Sequence, residues 1–252
     1  MYGAERQQLL AQRARRDGRI DVMAAAAELE VAPETIRRDL GALERQGLVR
    51  RVYGGAIPVG RIDFEPGVTQ RDKTNAAEKE RIARAAVDLL PQRGTLLLDA
   101  GTTTGRLAGL LPSDREYTVV TNSLPVATQL ANRTNCTLHM LGGRIRGTTL
   151  ASVESWALDV LAGLTVDVGF FGTNGFSAHR GCTTPDTAEA AVKAAMVAAS
   201  RRRVLLADHS KYGDDQFSRF ARICEMDAVV SDEALDAEAR AELAAETEVV
   251  PA

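Results

Sequence analysis

The stretch LLLDAGTTT, at residues 96 to 104, decides the fold of the larger part of the chain. Its three leucines predict a buried strand that ends at Asp99, and Gly101 predicts a tight turn before the threonines begin a helix. Such a unit leaves free backbone N–H groups at the helix N-terminus, where the helix dipole favours negative charge. The stretch therefore predicts a pocket for a phosphate or a similar small anion.

Strand and helix signals alternate around this stretch. Strand signals lie at 96–99, 118–121, 137–141, 168–171, 204–207, 228–231 and 248–250, and helical signals lie at 76–90, 103–111, 124–132, 151–162, 186–200 and 234–245. Alternation of this kind predicts an α/β domain with a mainly parallel sheet and helices on both faces.

Small polar residues follow five of the predicted strands, in the loops DAGTTT, TNS, GGR, GTNG and ADHSK. Ligands of open α/β sheets bind outside the carboxyl ends of the strands, so the five loops together predict one polar pocket. Asp99 is a candidate acceptor for sugar hydroxyls. Candidate cations for a phosphate are Arg144, Arg146 and Lys211. Glu189 and Lys193 form either a surface helix pair or part of the pocket.

Residues 1–57 predict a separate domain, with three short helices, a tight turn before the third and a basic hairpin with a turn at Gly54-Gly55. This order indicates a winged helix-turn-helix, whose third helix enters the major groove of DNA. Ile36 and Leu40 would face its core. The candidate DNA-binding residues are Pro33, Glu34, Thr35, Arg37 and Arg38 on the third helix, and Arg50, Arg51 and Tyr53 on the wing.

Residues 58–75 contain two prolines and two glycines without a helical or strand period, which predicts a linker to a domain at 76–252. Arg71 and Lys73 near its end either serve solubility or fold back over the anion pocket. If they fold back, they would report to the DNA-binding domain whether the pocket is filled.

The net charge of the chain is −3, but the first 57 residues carry +2 and the remainder −5, which favours an N-terminal DNA reader. The three cysteines and three histidines show no metal-ligand spacing, and we predict no metal and no cofactor. Without a signal peptide or a long apolar run, we expect a cytoplasmic protein with no membrane partner.

Two long motifs carry a family resemblance. The string TIRRDL…LERQGLVRRVYGGA, at residues 35 to 56, resembles the N-terminal signature of the DeoR family of bacterial transcriptional regulators. The five loops, together with the helix TAEAAVKAAM at residues 187 to 196, resemble the sensor domain of the same family. The resemblance implies a sensor fold similar to ribose-5-phosphate isomerases and an effector that is a phosphorylated sugar.

Carried over by position, the resemblance implies an effector site at Asp99, Gly101, Thr102, Thr103, Thr104, Thr121, Asn122, Ser123, Gly142, Gly143, Gly172, Thr173, Asn174, Gly175, Glu189, Lys193, Asp208 and Lys211. Arg144, Arg71 and Lys73 join this set as candidate cations. Two positions depart from the family pattern. Ala32 cannot cap the third helix, where a hydroxyl residue is usual, and Glu154 replaces a glycine.

The segment RGCTTPDTAEAAVKAAM, at residues 180 to 196, looks most like the fructose-operon repressor branch and suggests fructose 1-phosphate. We therefore predict a repressor of a sugar catabolic operon, active as a homodimer or homotetramer on operator double-stranded DNA and relieved by a phosphorylated sugar. The alternatives are a sugar-phosphate isomerase-like enzyme with an accessory DNA-binding domain, and a DNA-binding protein whose second domain only oligomerises.

Overall fold

The computed structural model describes residues 3–17, 19–58 and 65–252. The chain divides into two compact units, Met1–Pro66 and Gly67–Ala252. Within the described ranges, no helix is both long and apolar enough to cross a membrane.

The first unit is a small helical domain with a three-stranded antiparallel sheet. Its elements are α1 (Gly3–Asp17), β1 (Ile20–Asp21), α2 (Val22–Glu28), α3 (Pro33–Arg45), β2 (Val49–Val52) and β3 (Gly55–Pro58). The sheet order is β1-β3-β2. Ile36, Leu40 and Leu43 of α3 are buried against Leu10 of α1, as the helical spacing of apolar residues predicts. The predicted winged helix-turn-helix architecture is confirmed.

Local residues explain where these helices begin and end. The carboxylate of Asp21 caps α2 by accepting hydrogen bonds from the N–H groups of Met23 and Ala24, both at 2.9 Å. Ala32 precedes α3 without a side-chain cap, and Pro33 occupies the first turn. Gly47 follows α3 with φ 69°, a left-handed conformation that terminates the helix at low cost.

The wing differs from its prediction at one glycine. Gly54 lies in the turn with φ 79°, but Gly55 belongs to β3 rather than to the turn. A Cβ atom at Gly55 would lie 1.8 Å from the carbonyl oxygen of Ile20. Gly55 is therefore needed where β3 passes β1 closely, and sequence reading mistook this close approach for a turn.

The second unit contains twelve strands and seven α-helices within residues 67–252. The strands are β4 (Gly94–Leu98), β5 (Tyr117–Thr121), β6 (Cys136–Met140), β7 (Arg144–Arg146), β8 (Ala151–Val153), β9 (Val166–Phe171), β10 (Gly175–Ser177), β11 (Gly181–Thr184), β12 (Ser200–Leu206), β13 (Ser218–Ala221), β14 (Ala228–Ser231) and β15 (Glu248–Pro251). The helices are α4 (Val68–Lys73), α5 (Ala76–Val87), α6 (Thr102–Gly109), α7 (Leu124–Leu130), α8 (Ser155–Leu161), α9 (Thr187–Ala199) and α10 (Ala237–Ala244).

Seven strands form one parallel sheet in the order β15-β14-β12-β9-β4-β5-β6. These are the seven strands that the sequence predicted, and the α/β fold class is confirmed. Successive residues point to opposite faces of a strand, so both faces of the sheet are apolar. Leu97 and Phe171 pack with α8, α9 and α10 on one face, whereas Leu96, Leu98 and Phe170 pack with α5, α6 and α7 on the other.

Two small antiparallel sheets stand outside the predicted pattern. β7 pairs with β8, and β11 pairs with β10 and β13. The helix predicted at 151–162 is wrong at its start, because residues 151–153 form β8 and α8 begins only at Ser155. Between them Glu154 adopts φ 78° and ψ −166°, a conformation that glycine normally occupies.

The predicted linker at 58–75 is also corrected over its second half. Val68–Lys73 forms α4, which belongs to the second unit, and residues 59–64 lie outside the described ranges. None of the α4 residues is buried, so the helix lacks the apolar period that would have revealed it.

Candidate functional site

The carboxyl ends of four neighbouring strands form the floor of the candidate site. Asp99 follows β4, Asn122 follows β5, Gly172 follows β9 and Asp208 lies just after β12. These strands are adjacent in the order β12-β9-β4-β5, so the loops that leave them meet at one edge of the sheet. The structure thus brings together four of the five loops that the sequence predicted to converge, and the fifth, GGR, follows β6 beside β5.

A buried ion pair lies at the centre of this edge. Lys193 of α9 donates to the Asp99 Oδ2 atom and, at 3.0 Å, to the carbonyl oxygen of Gly172. The Gly172 N–H group also donates to Asp99 Oδ2, at 3.0 Å. Asp99 is 0% exposed and Lys193 is 3% exposed. Both charges are therefore paired and held by the backbone of the β9 end.

Several polar atoms at this edge are buried without a hydrogen-bond partner among the described residues. They are Asp99 Oδ1, Thr103 Oγ1 in the first turn of α6, and Thr149 Oγ1 and Ser152 Oγ in and beside β8. A buried polar atom without a partner costs about 1–3 kcal/mol, and native proteins contain few of them. This arrangement is suited to a ligand that supplies hydroxyl groups.

A second charged group surrounds Asp208. Asp208 Oδ1 accepts from Asn75 Nδ2 at 2.8 Å and from Ser210 Oγ at 2.5 Å, and Lys211 Nζ lies 4.0 Å from Oδ2. Burial opposes ionisation of Asp208, but Lys211 and the two hydrogen bonds outweigh it and lower the pKa of the carboxyl below its usual value.

Lys211 lies among other cations. Burial lowers its pKa to about 8; Asp208 opposes the shift, and the charges of Lys79, Arg71 and Lys193 add to it. Burial also lowers the pKa of Lys79, which Asp208 again opposes. Lys79, Arg71 and Lys193 therefore surround Lys211 with further positive charge, and the site carries a positive field suited to an anion.

Glu189 and Lys193 do not form the surface helix pair that the sequence left open. Both are buried on α9, and each has a different partner. Glu189 Oε2 lies 3.4 Å from both Arg146 Nη1 and Thr184 Oγ1, while Arg146 Nε donates to Asp186 at 3.0 Å. The β7 arginine thereby attaches the β7–β8 hairpin to the first turn of α9.

Other predicted residues shape the loops through backbone contacts. Thr104 Oγ1 donates to the Asp99 carbonyl at 2.7 Å, Thr121 Oγ1 donates to the Leu98 carbonyl at 2.6 Å, and Asn122 Oδ1 accepts from the Ala100 N–H group at 2.9 Å. Ser123 Oγ caps α7, and Thr173 Oγ1 donates to the carbonyls of Gly175 and Thr183. The hydroxyls of Thr104, Thr121 and Thr173 therefore donate to the protein backbone, whereas Ser123 Oγ accepts from the N–H group of Val126.

The predicted glycines fit tight backbone positions. Gly143 has φ 125°, and a Cβ atom at Gly175 would lie 1.7 Å from the Asp214 carbonyl oxygen. Gly101 precedes α6, with Thr102 in its first turn. Gly142 lies beside Trp156 and Asn174 follows Thr173 in the β9–β10 loop.

Three other predicted cations, Arg144, Arg71 and Lys73, are less buried than Lys193. Arg144 pairs with Glu154 at 2.6 Å, and both side chains are about half exposed. The Glu154 side chain, at the position where the family usually has glycine, therefore pairs with the charge of Arg144. Arg71 is half-buried on α4, whereas Lys73 is exposed.

The DNA-binding candidates on the first unit lie mainly on its surface. Arg37 and Arg38 are exposed on α3, Thr35 and Pro33 are half-buried, and exposed Glu34 pairs with Arg37 at 2.5 Å. On the wing, Arg51 is exposed and Tyr53 is 100% exposed. The side chain of Arg50 lies outside the described residues.

Sequence reasoning missed three buried charged groups, of which Asp232 accepts from His209. Lys79 lies on the same buried stripe of α5 as Ile82, Ala83 and Ala86. Its position within the apolar pattern of the helix could have indicated a buried lysine. Asp39, buried on α3, accepts from Arg6 at 2.5 Å. The sequence offers no signal for that pair, because its partners lie 33 residues apart.

Comparison with known proteins agrees with this two-unit organisation. The family model described as the DeoR-like helix-turn-helix domain matches residues 6–59, and that of the DeoR C terminal sensor domain matches residues 74–233. The HTH-type transcriptional regulator GlpR of Haloferax volcanii is 37% identical over 90% of this chain and 88% of its own. The glycerol-3-phosphate regulon repressor of Escherichia coli is 31% identical over 86% of each chain.

Among solved structures, ribose 5-phosphate isomerase A of Methanocaldococcus jannaschii matches 56% of each chain with 15% identity and a TM-score of 0.42. The two family models and the relatives together cover both units. This chain belongs to the DeoR family of transcriptional regulators.

Proposed function

We propose that this protein represses a sugar catabolic operon and that a phosphorylated sugar relieves the repression. The observation that carries the proposal is the buried Asp99 Oδ1 atom, which has no hydrogen-bond partner among the described residues and lies on the carboxylate that Lys193 binds. An ionised carboxylate oxygen only accepts hydrogen bonds, so its natural ligand is a hydroxyl donor. Thr103 Oγ1 offers a second position for a hydroxyl contact.

The cations of the site supply the other half of the recognition. The charges of Lys79, Arg71 and Lys193 act on Lys211, and the charge of Arg71 also acts on Lys79. These four cations outnumber the two carboxylates paired with Lys193 and Lys211, which are Asp99 and Asp208. A phosphomonoester carries about −1.5 to −2 charges at pH 7 and accepts several hydrogen bonds. A molecule with hydroxyls at one end and a phosphate at the other matches both halves of this site.

Within this class we propose fructose 1-phosphate as the effector, because residues 180–196 resemble the fructose-operon repressor branch. Glycerol 3-phosphate is the second candidate, because a relative with 31% identity is named the glycerol-3-phosphate regulon repressor. Both molecules combine hydroxyls with a single phosphate.

For the first unit we propose that Thr35, Arg37 and Arg38 contact the major groove, and that Arg50, Arg51 and Tyr53 contact the DNA backbone. The support is the exposure of Arg37, Arg38, Arg51 and Tyr53 on a winged helix-turn-helix fold. Two copies of the chain would read half-sites separated by about 10 base pairs or a multiple of that distance.

A thermal-shift titration tests the sensor half of the proposal. The panel contains fructose 1-phosphate, fructose 6-phosphate, glycerol 3-phosphate, ribose 5-phosphate and inorganic phosphate. A ligand at a hundred times its dissociation constant adds about 2.7 kcal/mol to the free energy of unfolding. We expect one sugar phosphate to stabilise the wild type and Lys73→Met but not Lys211→Met. Lack of stabilisation by every panel member contradicts the proposal.

Fluorescence anisotropy with a duplex that the protein selects from a random library tests the regulatory half. The stabilising sugar phosphate should weaken duplex binding by about 5- to 150-fold, the usual range of allosteric coupling. An assay for conversion of ribose 5-phosphate runs in parallel. Turnover there would favour the isomerase-like alternative, whereas its absence with a DNA response supports the repressor.

A further inference from the structure

We propose that the segment Val68–Asn75, which we call the α4 segment, couples the effector site to the DNA-binding unit, with Asn75 and Asp72 as the coupling residues. This inference rests on the proposed function. It adds the route by which a filled site changes the rest of the chain. The α4 segment follows the first unit in the chain and begins the second, so any change in its position acts on the connection between the units.

The α4 helix has no core packing of its own. It spans six residues, and none of them is buried. Isolated helices shorter than about 12 residues are marginal in water, so contacts with other elements must hold this one in place. Val68 is the one apolar residue of the helix and is only half-buried, so hydrogen bonds and ion pairs hold much of the segment, and these respond directly to a change in nearby charge.

The carboxyl end of the segment is attached to the cations of the site. Lys79 Nζ donates to the carbonyl oxygens of Arg71, at 2.5 Å, and Thr74, at 2.8 Å. Asn75 Nδ2 donates to Asp208 Oδ1 at 2.8 Å and to Ser210 Oγ at 3.0 Å. Asn75 has φ 51°, so the chain makes its turn into α5 where its side chain contacts Asp208.

The rest of the segment is attached to two further elements of the site. Arg106 of α6 donates to Asp72 Oδ1 at 2.5 Å and to the Asp72 carbonyl at 3.0 Å, and also to the Thr102 carbonyl at 3.1 Å. At the other end, the Val68 N–H group donates to the carbonyl of Thr148, in the β7–β8 hairpin, at 2.9 Å. Each of these contacts therefore joins the segment to an element that carries a proposed effector residue.

Asp208 makes the connection responsive to ligand. One of its oxygens accepts from Asn75, and the other lies 4.0 Å from Lys211 Nζ. A phosphate bound at Lys211 and Lys79 competes with Asp208 for the same cations, which weakens the hold of Asp208 and Lys79 on the α4 segment. Linkage is reciprocal. If ligand binding favours release of the α4 segment, then holding the segment in place lowers the affinity for the ligand.

The test compares full-length wild type with Asn75→Gly, Asp72→Ala and a control, Glu80→Ala. Glycine keeps the left-handed turn at residue 75 and removes only the amide. Glu80 forms an exposed pair with Arg84 on α5 at 2.7 Å, so its loss removes a similar ion pair without touching the α4 segment. The probes are fructose 1-phosphate, glycerol 3-phosphate and inorganic phosphate.

Two quantities are measured for each protein: the dissociation constant of the probe, by calorimetry, and the factor by which the probe weakens binding to the selected duplex. For Asn75→Gly and Asp72→Ala we expect this factor to fall at least fivefold while the probe still binds. Hydrogen–deuterium exchange of the α4 amides, without probe, should be faster in both variants and unchanged in Glu80→Ala.

The outcomes separate the two proposals. If no probe changes duplex binding by the wild type, the proposed function is wrong and the coupling role is wrong with it. If the wild type responds and Asn75→Gly and Asp72→Ala respond equally, only the coupling role is overturned. A weaker probe affinity with an unchanged coupling factor at saturating probe also overturns it, because the residues would then belong to the binding site alone.

Discussion

Charged residues serve the two units of this molecule in opposite ways. On α3 of the first unit, Arg37 and Arg38 are exposed, and the Glu34–Arg37 pair lies in water. At the sheet edge of the second unit, Asp99 and Lys193 are almost completely buried. An exposed ion pair contributes little to folding, whereas breaking a buried pair leaves a charge without solvent. The comparison predicts that changes at exposed Arg37 and Arg38 alter function alone, and that changes at the sheet edge alter function and stability.

The largest expected effect comes from breaking the buried pair. Lys193→Met leaves the Asp99 carboxylate uncompensated at a site with 0% exposure, so we expect the free energy of unfolding to fall by about 3–5 kcal/mol. Urea denaturation followed by circular dichroism measures the change. The double variant Asp99→Asn/Lys193→Met, which removes both charges, should recover part of the loss. A Lys193→Met variant whose free energy of unfolding lies within about 1 kcal/mol of wild type would contradict the contrast between the units.

On the first unit, Arg38→Ala should weaken binding to the selected duplex by about 1–3 kcal/mol, roughly 5- to 150-fold, if Arg38 reads a base edge. Its exposure predicts that the free energy of unfolding changes by less than about 0.5 kcal/mol. Arg84→Ala is the matched control, because Arg84 is an exposed helical arginine on α5. Equal affinity of Arg38→Ala and Arg84→Ala for the duplex would remove Arg38 from the DNA surface.

The pH dependence of effector binding tests whether the buried Lys211 binds the phosphate. The pKa of Lys211 is about 8, lowered by burial with further contributions from Lys79, Arg71 and Lys193. The protonated amine binds the phosphate, whose own second pKa is near 6, so affinity should fall about tenfold between pH 7 and pH 9. Calorimetry at pH 7, 8 and 9 measures this change. Lys211→Arg keeps its positive charge, so its effector affinity should not change over this range. A wild-type affinity that is also independent of pH would contradict the prediction.

The same shift has a defined sign for stability. The folded pKa of Lys211 lies below the ordinary lysine value of 10.5, so between about pH 8 and pH 10.5 the unfolded chain binds more protons than the folded one. The contribution of Lys211 to stability therefore rises with pH in that window. Comparing wild type with Lys211→Met across this range isolates the contribution of this one group.

The smallest expected effect concerns the uncapped N-terminus of α3. Ala32 has the extended conformation of a cap, φ −64° and ψ 143°, but no side-chain oxygen to accept a hydrogen bond. Ala32→Ser should stabilise α3 by about 1 kcal/mol, and Ala32→Gly should differ from serine by only a few tenths. Slower hydrogen exchange in the first turns of α3 would show this. Unchanged exchange in Ala32→Ser would mean that Pro33 already fixes the helix start.

The predictable part of the fold is the part with a strong local pattern. The leucines at 96 to 98, together with six further apolar runs, identified all seven strands of the parallel sheet, because strands buried on both faces are continuously apolar. The hairpin β7–β8 escaped prediction because its strands have three residues each. The α4 helix escaped because polar contacts hold it, and such contacts leave no periodic signal.

The candidate site shows the same division. Polar residues after the strands predicted its location, since strand ends of a parallel sheet meet at one edge. The individual contacts were not predictable. The sequence predicted Asp99 as an acceptor for sugar hydroxyls but did not predict its ion pair with Lys193. It left open whether Lys193 lies on the surface or in the pocket.

The sequence by itself determined the order of the two units, the seven strands of the sheet, the glycine and hydroxyl loops at their ends, and the helix-turn-helix motif. Tertiary structure alone decided which charged and polar side chains contact one another. Asp99 and Lys193 are 94 residues apart, and Asn75 and Asp208 are 133 residues apart. The sheet order and the packing of α5 and α9 bring these pairs together, because burial is tolerable for each charge only where the fold supplies its partner.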